Sequence, residues 1–408
     1  MSAICFYFQV HQPYRVKKYQ IFDIGNDHEY FDNHSTSNTD NEKILNKVSD
    51  KCYIPTNRLL LKMLTENPKF KISFSLSGVF LDQISQYAPE VLKSFQDLVK
   101  TGRCEILSET FYHSLSFIYS PKEFRHQVYK HKALVKKLFG VSPKVFRNTE
   151  LIYNNDLAYQ IEKMGFKGII TEGADKILGD RSPNFLYRPN TNNGNNKLKI
   201  LLKNYKLSDD IGFRFSDKNW NKFPLTANKF SSWIDKTNQK GSHGEIINLF
   251  MDYETFGEHQ WEDSGIFSFL EHLPKAILSN PDNCFMTPSE AVRKLEAREV
   301  VDIPEFISWA DMERDLSAWR SNGMQHDALE RVYGLEKRIK RIHNAKLTED
   351  WRKLQTSDHF YYMCTKFWSD GDIHAYFSPY QSPYQAFIYY MNVLKDMEIR
   401  IDQKMALL

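Results

Sequence analysis

The sequence predicts an α/β fold: a barrel of about seven parallel strands over residues 1–286, with an α-helical region over 287–408 packed on it. Three observations lead there. Short apolar runs rich in β-branched and aromatic residues recur along the N-terminal part, helical stretches with capping signals lie between several of them, and past Thr287 the strand-like runs give way to helical patterning. Strands that alternate with helices pair in parallel, because each crossover needs a dozen or more residues and returns the chain to the same edge.

The strand-like runs are 3–10, 71–76, 104–107, 144–147, 167–171, 198–205 and 245–251. Among the helices, Pro89–Lys100 stops near Gly102. The clearest is Pro121–Phe139, where Phe124, Val128, His131, Val135 and Leu138 recur on one face. Ser120 is its expected N-cap, with Pro121 in the first turn, Glu123 closing a capping box and Gly140 as the stop. Thr287-Pro288-Ser289-Glu290 is a second capping box and opens the helical region. Two long polar segments, 28–57 and 175–196 with its Asn192-Asn193-Gly194-Asn195-Asn196 turn, read as surface loops or lids.

With 408 residues, 41% of them hydrophobic, the chain is too apolar to remain disordered. Lys and Arg number 54 against 51 Asp and Glu, a net charge of +3 that provides no broad field for nucleic acid. Aromatics reach 14%, and flat aromatic faces suit sugar rings. The five cysteines are widely spaced, without a Cys-x-x-Cys pair, and read as reduced thiols. No apolar run approaches a membrane span, and residues 1–10 lack the pattern of a secretion signal, so a cytoplasmic protein without membrane contact is expected. Neither a metal nor a cofactor is expected, and the sequence leaves the oligomeric state open.

Catalytic groups of a parallel barrel sit just beyond the C-terminal ends of its strands. At those points the sequence places His11, Gln12 and Pro13, then Ser77 and Gly78, then Glu109 and His113, then Glu150, and finally Asp252 and Glu254. An isolated carboxylate at a strand end is usually a helix cap or half of an ion pair. Two facing each other across a barrel mouth, however, are what glycosidic cleavage requires: an acid for the leaving oxygen, and a carboxylate that attacks carbon or activates water. Glu150 and Asp252 are the candidates. Glu254 lies two residues beyond Asp252 and would share its side of an extended strand, where it could tune the acid.

The strings His11-Gln12-Pro13, Phe74-Ser75-Leu76-Ser77-Gly78, Phe146-Arg147-Asn148-Thr149-Glu150, Met251-Asp252-Tyr253-Glu254-Thr255-Phe256-Gly257-Glu258-His259 and Ser357-Asp358-His359-Phe360 occur in that order. Together they resemble the five conserved regions of glycoside hydrolase family 57. Leu316-Ser317-Ala318-Trp319 with Asn322 to Ala328, and Trp368 to His374 with Tyr376 to Tyr380, are similar to its α-amylase branch. The resemblance implies an incomplete (β/α)7 barrel with a C-terminal α-helical domain that completes the cleft. It implies a retaining enzyme acting on α-glucans such as starch, glycogen or maltooligosaccharides, with Glu150 as nucleophile and Asp252 as general acid/base. It further implies substrate contacts from His11, Glu109, His113, His259 and Asp358. Trp261, Trp368, Phe360 and Tyr153 are stacking candidates, each with ordinary core packing as the competing role.

Three other activities fit parts of this pattern. A 4-α-glucanotransferase or branching enzyme would use the same carboxylates with a glucan acceptor, and a silent glucan-binding protein would lack them. A metal-dependent deacetylase needs a histidine cluster, but His126 and His131 are five apart and miss the i, i+4 spacing of a two-histidine helix site.

Overall fold

The computed structural model describes residues 2–31, 38–191, 197–239, 245–366 and 373–407. Among these residues ten strands run in chain order: β1 (Ser2–Val10), β2 (Ile72–Leu76), β3 (Cys104–Ile106), β4 (Val145–Arg147), β5 (Gly168–Glu172), β6 (Leu186–Pro189), β7 (Lys199–Lys203), β8 (Ile246–Asp252), β9 (Asn283–Phe285) and β10 (Ala297–Val301). One sheet has the order β3-β2-β1-β8 with β9 also on β1; the other has the order β10-β6-β7-β5-β4.

Backbone hydrogen bonds join the two sheets into a curled ring. Ser108 N donates to Val145 O at 3.0 Å and Arg147 N to Ser108 O at 2.8 Å, which ties the end of β3 to β4. On the other side Asn204 N donates to Asn248 O at 2.9 Å, tying the end of β7 to β8. Around the ring the order is β1-β2-β3-β4-β5-β7-β8, and these are the seven runs expected from the sequence. The remaining strands lie outside it: β6 pairs antiparallel with β7, and β10 adds in parallel to β6. β10 follows Thr287, so the chain returns to the sheet once before it becomes helical.

Alternation along the strands sorts the side chains. Ala3, Cys5 and Tyr7 on β1, Val145 on β4, Ile170 on β5, Leu201 on β7 and Ile246 and Phe250 on β8 form one buried apolar cluster inside the ring. One step further along the same faces stand Gln9, Arg147, Glu172, Lys203 and Asp252, so the uppermost inner layer is polar. The opposite faces carry Phe6, Phe8, Phe74 and Leu249, packed beneath the surrounding helices.

The helix Pro121–Phe139 starts as expected, with Ser120 accepting the N–H of Glu123 and Gly140 at φ +74° ending it. Its capping box does not close. Glu123 instead bonds Arg352 Nε at 2.7 Å and Lys340 Nζ at 2.9 Å, two cations from the C-terminal helices that out-compete a backbone N–H. The box at Thr287 does form: Thr287 N donates to Glu290 at 3.2 Å and Glu290 N to Thr287 at 3.4 Å.

The two polar segments need correction as well. From Asn41 the first of them is helical, through Asn41–Val48 and onward to Ile54–Glu66. Asp40 caps it by accepting the N–H of Lys43, and Leu45 and Val48 are buried beneath the polar face that disguised it. The second holds the short helix Asp175–Leu178 and β6; its Asn192–Asn196 turn lies outside the described residues.

Beyond β10 the helices Gly323–Gly334, Glu336–Ile342, Ala345–Lys353 and Pro383–Met405 bury Leu329, Val332, Ile339, Trp351, Tyr390 and Val393. These side chains share one core with Phe146, Ile169 and Ile200 of the sheet, so barrel and helices have no apolar boundary between them. All five cysteines are free thiols. Among the described residues no helix is long and apolar enough to cross a membrane.

Candidate active site

Glu150 follows β4 in a tight turn where it and Leu151 both have left-handed backbone, φ +56° and +53°. Such conformations cost a side-chain-bearing residue about 1–2 kcal/mol each. Two backbone bonds hold the turn: Leu151 N donates to Asn148 O at 3.0 Å and Trp309 N donates to Glu150 O at 3.2 Å. The Trp309 indole N–H also donates to Glu150 Oε2 at 2.7 Å. Oε1 has looser neighbours, His113 Nε2 at 3.3 Å and Ser357 Oγ at 3.5 Å. Burial pushes this carboxyl up, but the hydrogen bond and charge of His113, with the charge of Arg147, outweigh it and hold Glu150 below the usual carboxylate range.

Asp252, at the end of β8, is displaced in the opposite direction. Burial first and the charge of Glu150 second raise its carboxyl to about 6. The Glu150 charge thus acts on Asp252, and the two carboxyls are shifted in opposite directions. Glu254 does not continue the strand, because Tyr253–Thr255 is a single tight helical turn. Its carboxylate accepts the Tyr53 hydroxyl at 2.5 Å, and burial followed by the Asp252 charge raises it to about 8.

A chain of polar contacts crosses the mouth beside Glu150. His113 holds Glu109 through Nδ1 at 2.8 Å; burial opposes its charge, but the bonds to Glu109 and Glu150 prevail and lift it to about 9. His11 stacks on His113 with ring centroids 3.9 Å apart. Burial and the His113 charge push the pKa of His11 down, so a neutral ring faces an imidazolium. His11 Nε2 lies 3.0 Å from Asp358 Oδ2 and Nδ1 lies 2.7 Å from Ser77 Oγ, which itself caps the helix Gly78–Tyr87. The carboxylate requires the proton on Nε2, which makes Nδ1 the acceptor from Ser77. Burial works against ionisation of Asp358, yet its interaction with His11 keeps it below the ordinary carboxylate range.

Other expectations change. Glu109 has no exposed surface and is held at about 2, because the bond and charge of His113 outweigh its burial. Wholly enclosed, it bonds His113 and, at 3.4 Å, Gln9 of the polar inner layer, both of them buried. Phe360 is also fully buried, packed on Tyr390 with centroids 5.6 Å apart, and Tyr153 is equally enclosed, so neither can stack on a sugar. His131 is structural: one ring nitrogen contacts Leu76 O at 2.8 Å and the other accepts Glu109 N–H at 3.3 Å. The His259 ring packs against Phe377 and Tyr376, at 5.5 and 6.0 Å. Trp261 is 64% exposed, and Trp368 lies outside the described residues.

Two residues escaped the sequence reading. Arg147 stands in the polar inner layer, fully buried, and none of its three side-chain nitrogens has a hydrogen-bond partner among the described residues. Its charge acts on Tyr7, Glu109, Glu150 and Asp252. Parity could have found it, since Arg147 shares the inward face of Val145. Trp309 comes from a loop far along the chain, and Arg147 and Lys203 both stand over its ring, 5.2 and 5.3 Å from its centroid. No local pattern marks it. Among the described residues no group of three or more His, Cys, Asp or Glu side chains could hold a metal ion.

Residues 5–304 match the model of glycosyl hydrolase family 57. Over 416 aligned residues the chain is 44% identical to a putative alpha-amylase of Methanocaldococcus jannaschii, covering 99% of this chain and 85% of that one. It is 25% identical over 271 residues to a 4-alpha-glucanotransferase of Thermococcus litoralis, covering 64% of this chain but only 39% of that protein. In three dimensions it resembles the branching enzyme of Pyrococcus horikoshii, with a TM-score of 0.68 at 15% identity over 92% of this chain and 87% of that one. The chain belongs to glycosyl hydrolase family 57 and is a glycoside hydrolase.

Proposed function

We infer that the enzyme cleaves α-1,4-glucosidic bonds of starch, glycogen or maltooligosaccharides with retention of configuration. The carboxyl pair at the ends of β4 and β8, with Glu150 held as carboxylate and Asp252 raised to about 6, supports acid-assisted glycosidic cleavage, and retention is what the family membership implies. Glu150 attacks the anomeric carbon while Asp252 donates its proton to the departing oxygen. Water, deprotonated by Asp252, then releases the sugar. His11, Glu254, His259, Trp261 and Asp358 serve the substrate, and Glu109 and His113 orient Glu150. The helical region 287–408 belongs to the cleft of the barrel 1–286. Trp309, Ser357 and Asp358 support this, because they bond to Glu150 and His11.

Replacing Asp252 by Asn lowers turnover of maltoheptaose by about 10²- to 10⁴-fold. Glu150→Gln abolishes the glycosyl-enzyme and costs more. Wild-type turnover in either variant overturns the assignment. The relative named as a 4-alpha-glucanotransferase supports a second reading, transfer to a glucan acceptor by the same carboxylates. Chromatography of the products separates the two: only shorter sugars mean hydrolysis, and sugars longer than the starting one mean transfer.

A further inference from the structure

We propose that Trp309 is a positioning residue that makes Glu150 an efficient leaving group in the second half of the reaction; this rests on the reading of Glu150 as nucleophile. The indole N–H binds Oε2 at 2.7 Å, the shortest contact of the carboxylate, whereas the neighbours of Oε1 stand at 3.3 and 3.5 Å. Oε1 is therefore the attacking oxygen and Oε2 the clamped one.

In the first step the Oε1–C1 bond forms and the glycosidic C1–O bond breaks. Its electron pair stays on the departing oxygen, which takes the proton of Asp252. Oε2 is then the carbonyl oxygen of an ester. In the second step Asp252 takes a proton from water, the water oxygen bonds C1, and the C1–Oε1 pair returns to Glu150. Negative charge reappears on the carboxylate against a donor already in place, and such a donor costs no reorganisation when the charge develops.

The donor is held firmly. Trp309 N binds Glu150 O, and the ring makes cation–π contacts with Arg147 and Lys203. The loop around it is closed by Ser308 Oγ bonding Asp315 O at 2.6 Å and by an Arg314–Glu172 ion pair at 2.6 Å. At its far end Asp311 accepts from His374 at 3.1 Å and from Lys366 at 3.2 Å. Asp311 and Arg314 both have left-handed backbone, φ +54° and +50°, which this network sustains.

Trp309→Phe keeps an aromatic ring near Arg147 and Lys203 and removes the N–H together with part of the indole. Loss of a hydrogen bond to a charged group lowers kcat about ten- to hundredfold. Because release of the glycosyl-enzyme becomes limiting, KM falls with kcat, a pre-steady-state burst of leaving group appears, and the acid limb of kcat/KM moves up. A folded variant with wild-type kcat, KM and acid limb overturns the proposal, as does a fall in kcat without burst or limb shift. The indole ¹⁵N–¹H resonance of Trp309 in the wild-type protein is the second measurement, and it decides the matter if the variant does not fold. It titrates along the acid limb and moves in Glu150→Gln if the proposal holds, and does neither if it fails. Wild-type turnover in Glu150→Gln would instead overturn the nucleophile reading itself, whatever Trp309→Phe does.

Discussion

Asp252→Asn should stabilise the protein while it disables the chemistry, and only above a defined pH. Folding moves this carboxyl from its ordinary 3.8 to about 6, by burial and by the Glu150 charge. The folded state thus holds the proton more tightly than the unfolded state. Stability contributed by this group is complete below about pH 4 and is lost as the pH rises through 6. At pH 7.5 an ionised Asp252 then costs the native state up to about 3 kcal/mol. The amide avoids that cost at similar volume. Urea unfolding of both proteins at pH 7.5 should give the variant a gain of about 1–3 kcal/mol, with near-identical stabilities at pH 4. An equal gain at both pH values would show a packing effect rather than a charge effect. No gain at pH 7.5 would refute the strained, proton-holding environment on which the acid role depends.

Arg147→Met removes a cation that lowers the carboxyls of Glu150 and Asp252, so both limbs of the kcat/KM profile should move to higher pH; an unshifted profile would contradict its electrostatic role. Phe360→Ala should lower unfolding stability by about 3–5 kcal/mol, as expected of a buried ring. Trp261→Ala should leave stability within about 0.5 kcal/mol while weakening maltooligosaccharide binding, readable by calorimetry, since that indole is largely exposed.

The seven ring strands were legible because each is an apolar run bounded by turn residues, and a buried parallel strand needs little more. β6, β9 and β10 were not. Leu186–Pro189 ends in proline, and Ala297–Val301 carries Arg298 and Glu299 on an exposed edge. The helix beginning at Asn41 was hidden by a polar face, and the Glu123 box failed because cations from distant helices claimed its carboxylate. At the site, His11, Ser77, Glu150 and Asp252 stand at strand ends, which the apolar runs marked, whereas Asp358 and His259 rested on the family resemblance. Which of them touch each other was not legible: the His11–His113 stack and the Trp309 clamp join segments far apart in sequence, and burial decides that Glu109 and Phe360 turn inward.

A covalent intermediate on Glu150 is the central step of the proposed reaction. Incubation with a slow 5-fluoro-α-glucosyl fluoride, followed by proteolysis and mass spectrometry, should find the fluoroglucosyl mass on the peptide that contains Glu150, with fresh hydrolysis products appearing as the α-anomer. A label on another side chain, or β-anomer as the first product, would contradict it.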